Sequence, residues 1–167
     1  MVGFAAYSGA GKTTLLKKVV SLLTERGLRV AMIKHAHHNF DIDTPGKDSY
    51  ELRRAGASQV LVASTRREAL MIEKPEAGEP DLDQLLARLD QNVVDLIMVE
   101  GFKNVPFPKI EIFRHAVGKP AIYPDDDAVI AVATDGELPV PCDLPVLNLN
   151  DPGAITAFIC KFAGTAC

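Results

Sequence analysis

The sequence predicts an α/β fold in which a mainly parallel β-sheet is flanked by helices. Two observations lead to this fold class. Short apolar runs alternate along the chain with segments whose apolar residues recur at helical spacing. The first apolar run, residues 2–7, is followed by a glycine-containing turn, an amphipathic segment and a second apolar run, all within about 35 residues, the length of a βαβ unit. Since such a unit makes its two strands parallel, the sheet is expected to be mainly parallel.

The first half of the chain is dominated by one amphipathic helix. Its leucines and valines recur at helical spacing as far as Arg26, and Gly27 is suited to end it. A polar segment with Pro45 and Gly46 predicts a surface loop. The predicted order is strand 2–7, turn 8–11, helix to 26, strand 29–33, loop 34–47, helix 48–54 and a possible β-hairpin insertion with strands 59–63 and 69–72.

The second half predicts four more strands and ends in a helix. Asp151 and Pro152 provide the cap and first turn of that helix. The acidic residues 125–127 are interpreted as a solvated turn. The predicted order is connector 73–80, a helical face over 82–89, strands 94–99, 109–113, 129–133 and 146–149, and the closing helix to residue 162.

Length and composition limit the function classes. The 167 residues predict one domain over 1–167. Lys plus Arg number 18 and Asp plus Glu 22, so the net charge of −4 offers no broad surface for nucleic acid. No run of about 18 apolar residues is found, so no membrane segment is expected. We expect a cytoplasmic protein.

Residues 6–13, A-Y-S-G-A-G-K-T, match the phosphate-binding loop G-x-x-x-x-G-K-[ST] except that Ala6 replaces the first glycine. Glycines let backbone N–H groups turn towards an anion, and the following helix adds its positive N-terminal end. A lysine here reaches the β and γ phosphates, and a hydroxyl contacts Mg²⁺. The predicted nucleotide contacts are Ser8, Gly9, Ala10, Gly11, Lys12, Thr13 and Thr14. The domain is therefore interpreted as a P-loop nucleotide-binding domain.

Glu100 is the candidate carboxylate for the metal. It follows a buried apolar strand, and ligands of open α/β sheets gather at the carboxyl ends of strands. Asp95 lies at the opposite end of the same strand. Thr13 and Glu100 are therefore the predicted Mg²⁺ ligands, and Gly101 gives the backbone freedom to approach a γ-phosphate. A surface carboxylate without a metal is the alternative.

Asp135 is the candidate for base recognition. It ends the predicted strand 129–133 with the sequence A-T-D, and its carboxylate can accept from the N1–H and N2 amine of guanine, a donor pair that adenine lacks. The guanine motif N-K-x-D is absent from the sequence. A turn aspartate before Gly136 is an equally good interpretation.

The loop after the second strand contains Lys34, His35, His37 and His38, followed by Asp48. Histidines with carboxylates can bind zinc or nickel. Beside a phosphate site, however, histidine N–H groups and a lysine more often bind an anion. We therefore predict a second anionic-ligand site formed by these five residues. Asp48 either responds to the γ-phosphate as part of a switch segment or caps the helix over 48–54.

Several blocks together resemble one known family, MobB, the molybdopterin-guanine dinucleotide biosynthesis protein B. The blocks are A-A-Y-S-G-A-G-K-T-T-L-L at 5–16, I-K-H-A-H-H at 33–38, P-G-K-D-S-Y-E-L-R-R-A-G-A at 45–57, V-E-G-F-K at 99–103 and I-A-V-A-T-D at 130–135. The resemblance implies a dimeric GTP-binding adaptor that partners the molybdopterin guanylyltransferase, with molybdopterin cofactor as a further ligand. It also implies GTP and Mg²⁺ as cofactors and weak GTPase activity, with no assigned catalytic residue.

Two other functions remain open at this stage. A P-loop small-molecule kinase would use the same loop, with Arg66 and Arg67 as candidate clamps for transition-state charge. A GTP-dependent metal chaperone would use His35, His37 and His38 as ligands. Acceptor-dependent turnover would favour the kinase, and tight metal binding would favour the chaperone.

Overall fold

The computed structural model describes residues 1–36, 40–76 and 78–165. They divide into two compact units: one comprises Met1–His35 and Asp81–Cys167, and the other Ala36–Pro80. We call them the sheet unit and the hairpin unit. That residues 1–167 act as one nucleotide-binding domain stays a prediction.

Within the described residues, the sheet unit contains six strands, three α-helices and two short 3-10 helices, His115–Val117 and Tyr123–Asp125. In chain order the strands and α-helices are β1 (Val2–Ala5), α1 (Lys12–Glu25), β2 (Val30–Lys34), α3 (Leu82–Leu86), β5 (Leu96–Glu100), β6 (Lys109–Phe113), β7 (Val129–Thr134), β8 (Val146–Asn148) and α4 (Pro152–Ala163). The hairpin unit contains α2 (Asp48–Arg54), β3 (Gln59–Ala63) and β4 (Glu68–Ile72). No helix in the described part of the chain is long and apolar enough to cross a bilayer.

The six strands form one sheet in the order β2-β5-β1-β6-β7-β8. Every neighbouring pair in it is parallel. The predicted fold class is therefore confirmed, including the helices that flank the sheet. Because the strands are parallel, the segments that follow β1, β2, β5, β6 and β7 all leave from the same edge of the sheet.

The two faces of the sheet are covered differently. On one face, α1 and α4 bury Leu16, Val19 and Ile155 against the strands, together with Ile110 and Ile112 of β6. This helical pattern was readable from sequence because its apolar residues repeat every three to four positions. On the other face, α3 and the segment between β5 and β6 bury a smaller apolar cluster.

Strand β6 carries charge into the interior. Lys109 and Glu111 are each 1% exposed, although they alternate with apolar residues along the strand. The Lys109 ammonium donates to Asp126 Oδ2 at 2.8 Å. Asp126 is thus the partner of a buried lysine. Asp125 and Asp127 are exposed, so the prediction of a solvated turn over 125–127 is wrong only for Asp126. Loops cover this part of the sheet and bring polar partners to the Lys109 and Glu111 side chains.

The hairpin unit confirms the predicted insertion. β3 and β4 pair antiparallel, with Gln59 opposite Ile72. The Arg53 guanidinium holds the unit together by donating to Glu73 Oε1 at 2.8 Å and to Asp41. The hydrogen bond from Arg53 to Asp41 holds the pKa of the Asp41 carboxyl below its ordinary value.

Helix α2 begins at Asp48, so the suggestion that Asp48 caps this helix was wrong. Lys47, whose backbone is extended, takes the N-cap position, and its side chain makes no capping hydrogen bond. A cap residue needs such a non-helical backbone, whereas Asp48 lies in the first turn, where a negative charge favours the helix dipole.

Candidate functional site

The segment between β1 and α1 forms a tight loop at the carboxyl edge of the sheet. Gly9 and Gly11 have φ angles of 87° and 83°, a backbone conformation that side chains disfavour. Within the loop, the Ala10 N–H donates to the Tyr7 carbonyl at 3.3 Å. Gly11 is the N-cap of α1 and no acidic residue occupies the first turn, so the backbone N–H groups there face no carboxylate of their own helix. This geometry suits an anion.

The Glu100 carboxylate lies between two lysines at this edge. Its Oε1 is 3.4 Å from Lys12 Nζ, and its Oε2 is 3.7 Å from Lys34 Nζ. The register explains the cluster, because Glu100 is paired with Lys34 on β2 and with Phe4 on β1. The Glu100 side chain is only 13% exposed, against 60% for Lys34. The structure thus brings the predicted phosphate lysine, the predicted metal carboxylate and Lys34 together.

Gly101 allows a close approach between two loops. Its φ is 97°, and a Cβ atom there would lie 2.7 Å from His35 Cβ. The His35 N–H donates to the Glu100 carbonyl at 2.8 Å, and the His35 ring lies 4.8 Å from the Phe102 ring. The described structure therefore explains Gly101 by packing against His35. Its predicted approach to a γ-phosphate stays a prediction.

Asp135 lies at the end of β7, as predicted, and is engaged by residues that follow β6. Arg114 Nη1 donates to Asp135 Oδ2 at 2.9 Å, and the His115 N–H donates to Oδ1 at 3.3 Å. Arg114 Nε also donates to the Ala10 carbonyl at 3.1 Å. One guanidinium therefore connects the phosphate-binding loop with the carboxylate predicted to read the base.

Arg114 was missed by sequence reasoning. It directly follows β6, and that position was a usable signal, since polar residues after parallel strands gather at one edge. What was lacking was the strand order, which places β6 between β1 and β7. Without it, nothing linked Arg114 to both Ala10 and Asp135.

The structure describes some, but not all, of the remaining candidate site residues. Ser8, Thr13 and Thr14 lie at the exposed mouth of the loop, while Ala10 is buried. His37 and His38 lie outside the described residues. Asp48 belongs to the hairpin unit. Within residues 1–36, 40–76 and 78–165, no cluster of three His, Cys, Asp or Glu side chains suited to a metal is present.

The two arginines of the kinase alternative lie in the hairpin turn. The backbone N–H groups of Arg66 and Arg67 donate to Ser64 Oγ at 3.3 and 3.0 Å. Both residues are exposed. These contacts come from the backbone, so they form the turn without using either guanidinium.

Comparison with known proteins identifies relatives along nearly the whole chain. A family model described as MobB, molybdopterin guanine dinucleotide synthesis protein B, matches residues 1–135. The molybdopterin-guanine dinucleotide biosynthesis adapter protein of Escherichia coli K12 is 48% identical over 163 residues, covering 97% of this chain and 92% of that protein. Its Haemophilus influenzae counterpart is 43% identical over 160 residues, covering 95% and 86%.

A crystal structure of a MobB homologue from Bacillus stearothermophilus has the same fold. It aligns with a TM-score of 0.73 at 24% identity and covers 99% of this chain and 98% of the other. At that identity, the likeness establishes the fold alone. It agrees with the parallel sheet and flanking helices described above.

Proposed function

The chain belongs to the MobB family, and from this premise we propose that it is a GTP-binding adaptor of molybdopterin guanine dinucleotide biosynthesis with weak intrinsic GTPase activity. The observation that carries the proposal is the joining of Lys12, Glu100 and the glycine loop at one edge of the sheet. The relatives from E. coli and H. influenzae are named adapter proteins of this biosynthesis. Cytoplasmic location is part of the proposal.

The phosphate-binding loop supports nucleotide binding. Its glycines Gly9 and Gly11 have positive φ angles, the loop leads into the amino end of α1, and Lys12, with a side chain 20% exposed, lies at the same edge. Charge-assisted hydrogen bonds to phosphate oxygens are among the strongest available to a protein. With a triphosphate bound, Lys12 would pair with phosphate oxygens in place of Glu100.

Thr13 and Glu100 fit a magnesium ion by their chemistry. Magnesium prefers oxygen ligands and is usually held by one or two carboxylates together with substrate phosphates. Glu100 supplies a carboxylate that already faces two cations, and Thr13 supplies a hydroxyl at the mouth of the loop. When bound, the ion would neutralise charge on the β and γ phosphates.

Preference for guanine is proposed to depend on Asp135. Its two oxygens each accept one hydrogen bond from Arg114 or His115, and a carboxylate offers about four acceptor positions. Capacity remains for the N1–H and N2 amine of guanine. Arg114 keeps the carboxylate oriented beside the loop.

Slow hydrolysis follows from what surrounds the loop. Fast P-loop GTPases use a residue that orients the attacking water and an arginine that stabilises the transition state. Arg114 contacts the loop, but its guanidinium already donates to Asp135 and to the Ala10 carbonyl. The proposed role is therefore nucleotide-dependent docking.

The segment from Lys34 to Asp48 is proposed as a second anionic-ligand site. Lys34 and His35 lie at the same sheet edge as the phosphate-binding loop, next to Glu100. The N–H donors of Lys34 and His35 would meet a phosphate group of the cofactor or nucleotide. His37 and His38 lie outside the described residues, and Asp48, an acceptor, belongs to the hairpin unit, so their part in this site stays a prediction from the sequence.

The hairpin unit supports the proposed homodimer. It exposes apolar side chains on its two-stranded sheet: Leu61 is 62% exposed and Leu70 is 53% exposed. A two-stranded hairpin is marginally stable in water by itself, and strand edges pair readily with another chain. A second copy of the chain would cover these side chains. Light scattering tests this, since Leu61→Ser with Leu70→Ser should convert a dimer into a monomer.

The adaptor role itself is tested by partnership with the molybdopterin guanylyltransferase. We expect the two proteins to co-elute in size-exclusion chromatography, with Mg²⁺-GTP changing the fraction bound. Absence of a complex with and without nucleotide would contradict the adaptor proposal, whatever the outcome for nucleotide binding.

A further inference from the structure

A cavity of about 650 Å³ lies beside the phosphate-binding loop in the sheet unit. We call it the side cavity. It opens on the face of β6 that carries Lys109 and Glu111, opposite the face where Ile110 and Ile112 pack with α1 and α4. Its volume lies in the range of about 300 to 1,000 Å³ that is usual for small-molecule sites. The lining residues are Tyr7, residues 103–106, Lys109, residues 120–122, Asp125 and Asp126.

Buried charged groups hold the walls of the side cavity in place. Lys109 Nζ donates to the Lys103 carbonyl at 2.9 Å in one wall and to Asp126 Oδ2 at 2.8 Å in the other. The Glu111 carboxylate accepts the N–H groups of Ile122 and Tyr123, both at 2.8 Å. Burying two charges in a sheet is costly for folding unless they are paired. Here the pairing fastens both walls to β6, so the cavity is preformed.

Tyr7 belongs to both the phosphate-binding loop and the side cavity. Its carbonyl accepts the Ala10 N–H within the loop, while its ring lies 4.8 Å from Lys103 Nζ in the cavity wall. A ligand in the cavity would therefore touch the loop that holds the nucleotide.

An unusual turn brings Lys103 to Tyr7. Gly101 and Phe102 have φ angles of 97° and 56°, and a bulky residue in this region is rare. The turn buries Phe102 and directs the next residue towards the phosphate-binding loop. Lys103 forms no ion pair with any residue the structure describes, so its charge is available to an anion. Backbone strain of this kind is found mostly at functional sites.

We propose that the side cavity binds the phosphorylated pterin of the molybdopterin cofactor. This inference rests on the proposed function for the choice of ligand. It assigns the pterin phosphate to Lys103 and leaves Lys34 and His35 to the phosphates of the guanine nucleotide. The phosphate pairs with Lys103, and the flat ring packs against Tyr7. Asn104 and Asp125 provide acceptors for the N–H and amino groups at the edge of the pterin. The cofactor then lies next to the nucleotide, in contact with the same loop.

The test is a fluorescence titration of the full chain with neopterin monophosphate, a phosphorylated pterin. Neopterin without phosphate, inorganic phosphate and GMP serve as comparison ligands. We expect Lys103→Ala to weaken neopterin monophosphate binding at least tenfold and Lys103→Arg to retain most of it. Lys119→Ala is the matched control, since Lys119 is exposed and does not line the cavity.

A second variant fills part of the side cavity without removing a charged side chain, and so tests whether the ligand occupies that space. Asn104 is exposed, so Asn104→Trp narrows the cavity without disturbing the core. It should weaken neopterin monophosphate at least tenfold and leave Mg²⁺-GTP affinity unchanged.

Four results would overturn the inference. The first is a wild type that binds GTP but not neopterin monophosphate, and the second is equal affinity of wild type and Lys103→Ala for neopterin monophosphate. The third is a loss of neopterin monophosphate binding in Lys34→Ala and not in Lys103→Ala. The fourth is binding of inorganic phosphate or GMP in the side cavity as tightly as the pterin. Failure of the wild type to bind GTP would contradict the proposed function. The neopterin monophosphate titration would still decide, independently, whether the side cavity binds a phosphorylated pterin.

Discussion

Arg114 Nη1 donates to Asp135 Oδ2 at 2.9 Å, and through its Nε the same guanidinium reaches the Ala10 carbonyl. Arg114, which is distant from Ala10 in sequence, thus contacts the phosphate-binding loop directly, and Asp135 is linked to the loop through Arg114. The sheet order explains this, because β6 lies between β1 and β7. The contact connects the two predicted halves of nucleotide recognition, phosphate and base.

Asp135→Asn is expected to reduce the preference for GTP over ATP by about tenfold, equivalent to about 1.4 kcal/mol. The substitution replaces one acceptor oxygen with a donor that opposes guanine N1–H or N2, and it weakens the pair with Arg114. Calorimetric affinities for both nucleotides measure the change. Asp143→Asn, at an exposed position away from these contacts, is the control. An unchanged preference in Asp135→Asn would remove Asp135 from base recognition.

Glu100→Gln is expected to raise the Mg²⁺ concentration needed for half-maximal GTP binding by about tenfold. A neutral amide is a weaker ligand for a hard cation than a carboxylate. Titrating Mg²⁺ at fixed GTP measures this, with Glu137→Gln at an exposed position as the control. If both variants show the wild-type Mg²⁺ dependence, Glu100 serves only to pair with Lys12 and Lys34.

Hydrolysis of GTP by the isolated chain is expected to be slower than about 1 per second. The physical reason is that Arg114 is held by Asp135 and the Ala10 carbonyl and is not available for transition-state charge. Phosphate release under single-turnover conditions measures the rate. A faster rate without a partner would favour an enzyme over an adaptor.

Glu111 should make stability depend on pH in an identifiable direction. Desolvation raises the pKa of its carboxyl above the ordinary value of 4.5. The folded chain therefore binds this proton more readily than the unfolded chain, so the group's contribution is greatest at low pH and is lost as pH rises through the raised pKa.

The comparison that isolates this effect is wild type against Glu111→Gln in urea denaturation. As pH falls from about 7 towards 4.5, the wild type should gain free energy of unfolding relative to the variant. Glu137→Gln, at an exposed position, is the control for replacing a carboxylate by an amide. If the difference in free energy of unfolding between wild type and Glu111→Gln stays constant with pH, or changes in the opposite direction, the Glu111 carboxyl is not desolvated as described.

The sequence predicted the main elements because their signals are local. The helical repeat of Leu16 and Val19 and the capping of α4 by Asp151, which accepts from the Ala154 N–H at 2.9 Å, depend on neighbours along the chain. The cluster of Lys12 with Glu100 was also foreseeable, since both follow strands that end at one edge.

What the sequence did not predict depends on strand order and loop packing. The Arg114 contacts need β6 beside both β1 and β7. The burial of Lys109 needs Asp126 and the Lys103 carbonyl, which come from two separate loops. No periodicity within residues 109–113 reveals that such partners exist, and a lysine in a short strand is usually exposed.

The central claim, that this chain holds Mg²⁺-GTP in the loop before α1, is tested most directly by calorimetry on wild type and Lys12→Ala. Losing a charge-assisted contact to the phosphates should cost about 2 to 5 kcal/mol, which abolishes most of the binding. Lys17→Ala, an exposed lysine on the same helix, should bind as wild type does. The account predicts tight binding that Lys12→Ala removes, whereas equal GTP affinity in wild type and Lys12→Ala would contradict it.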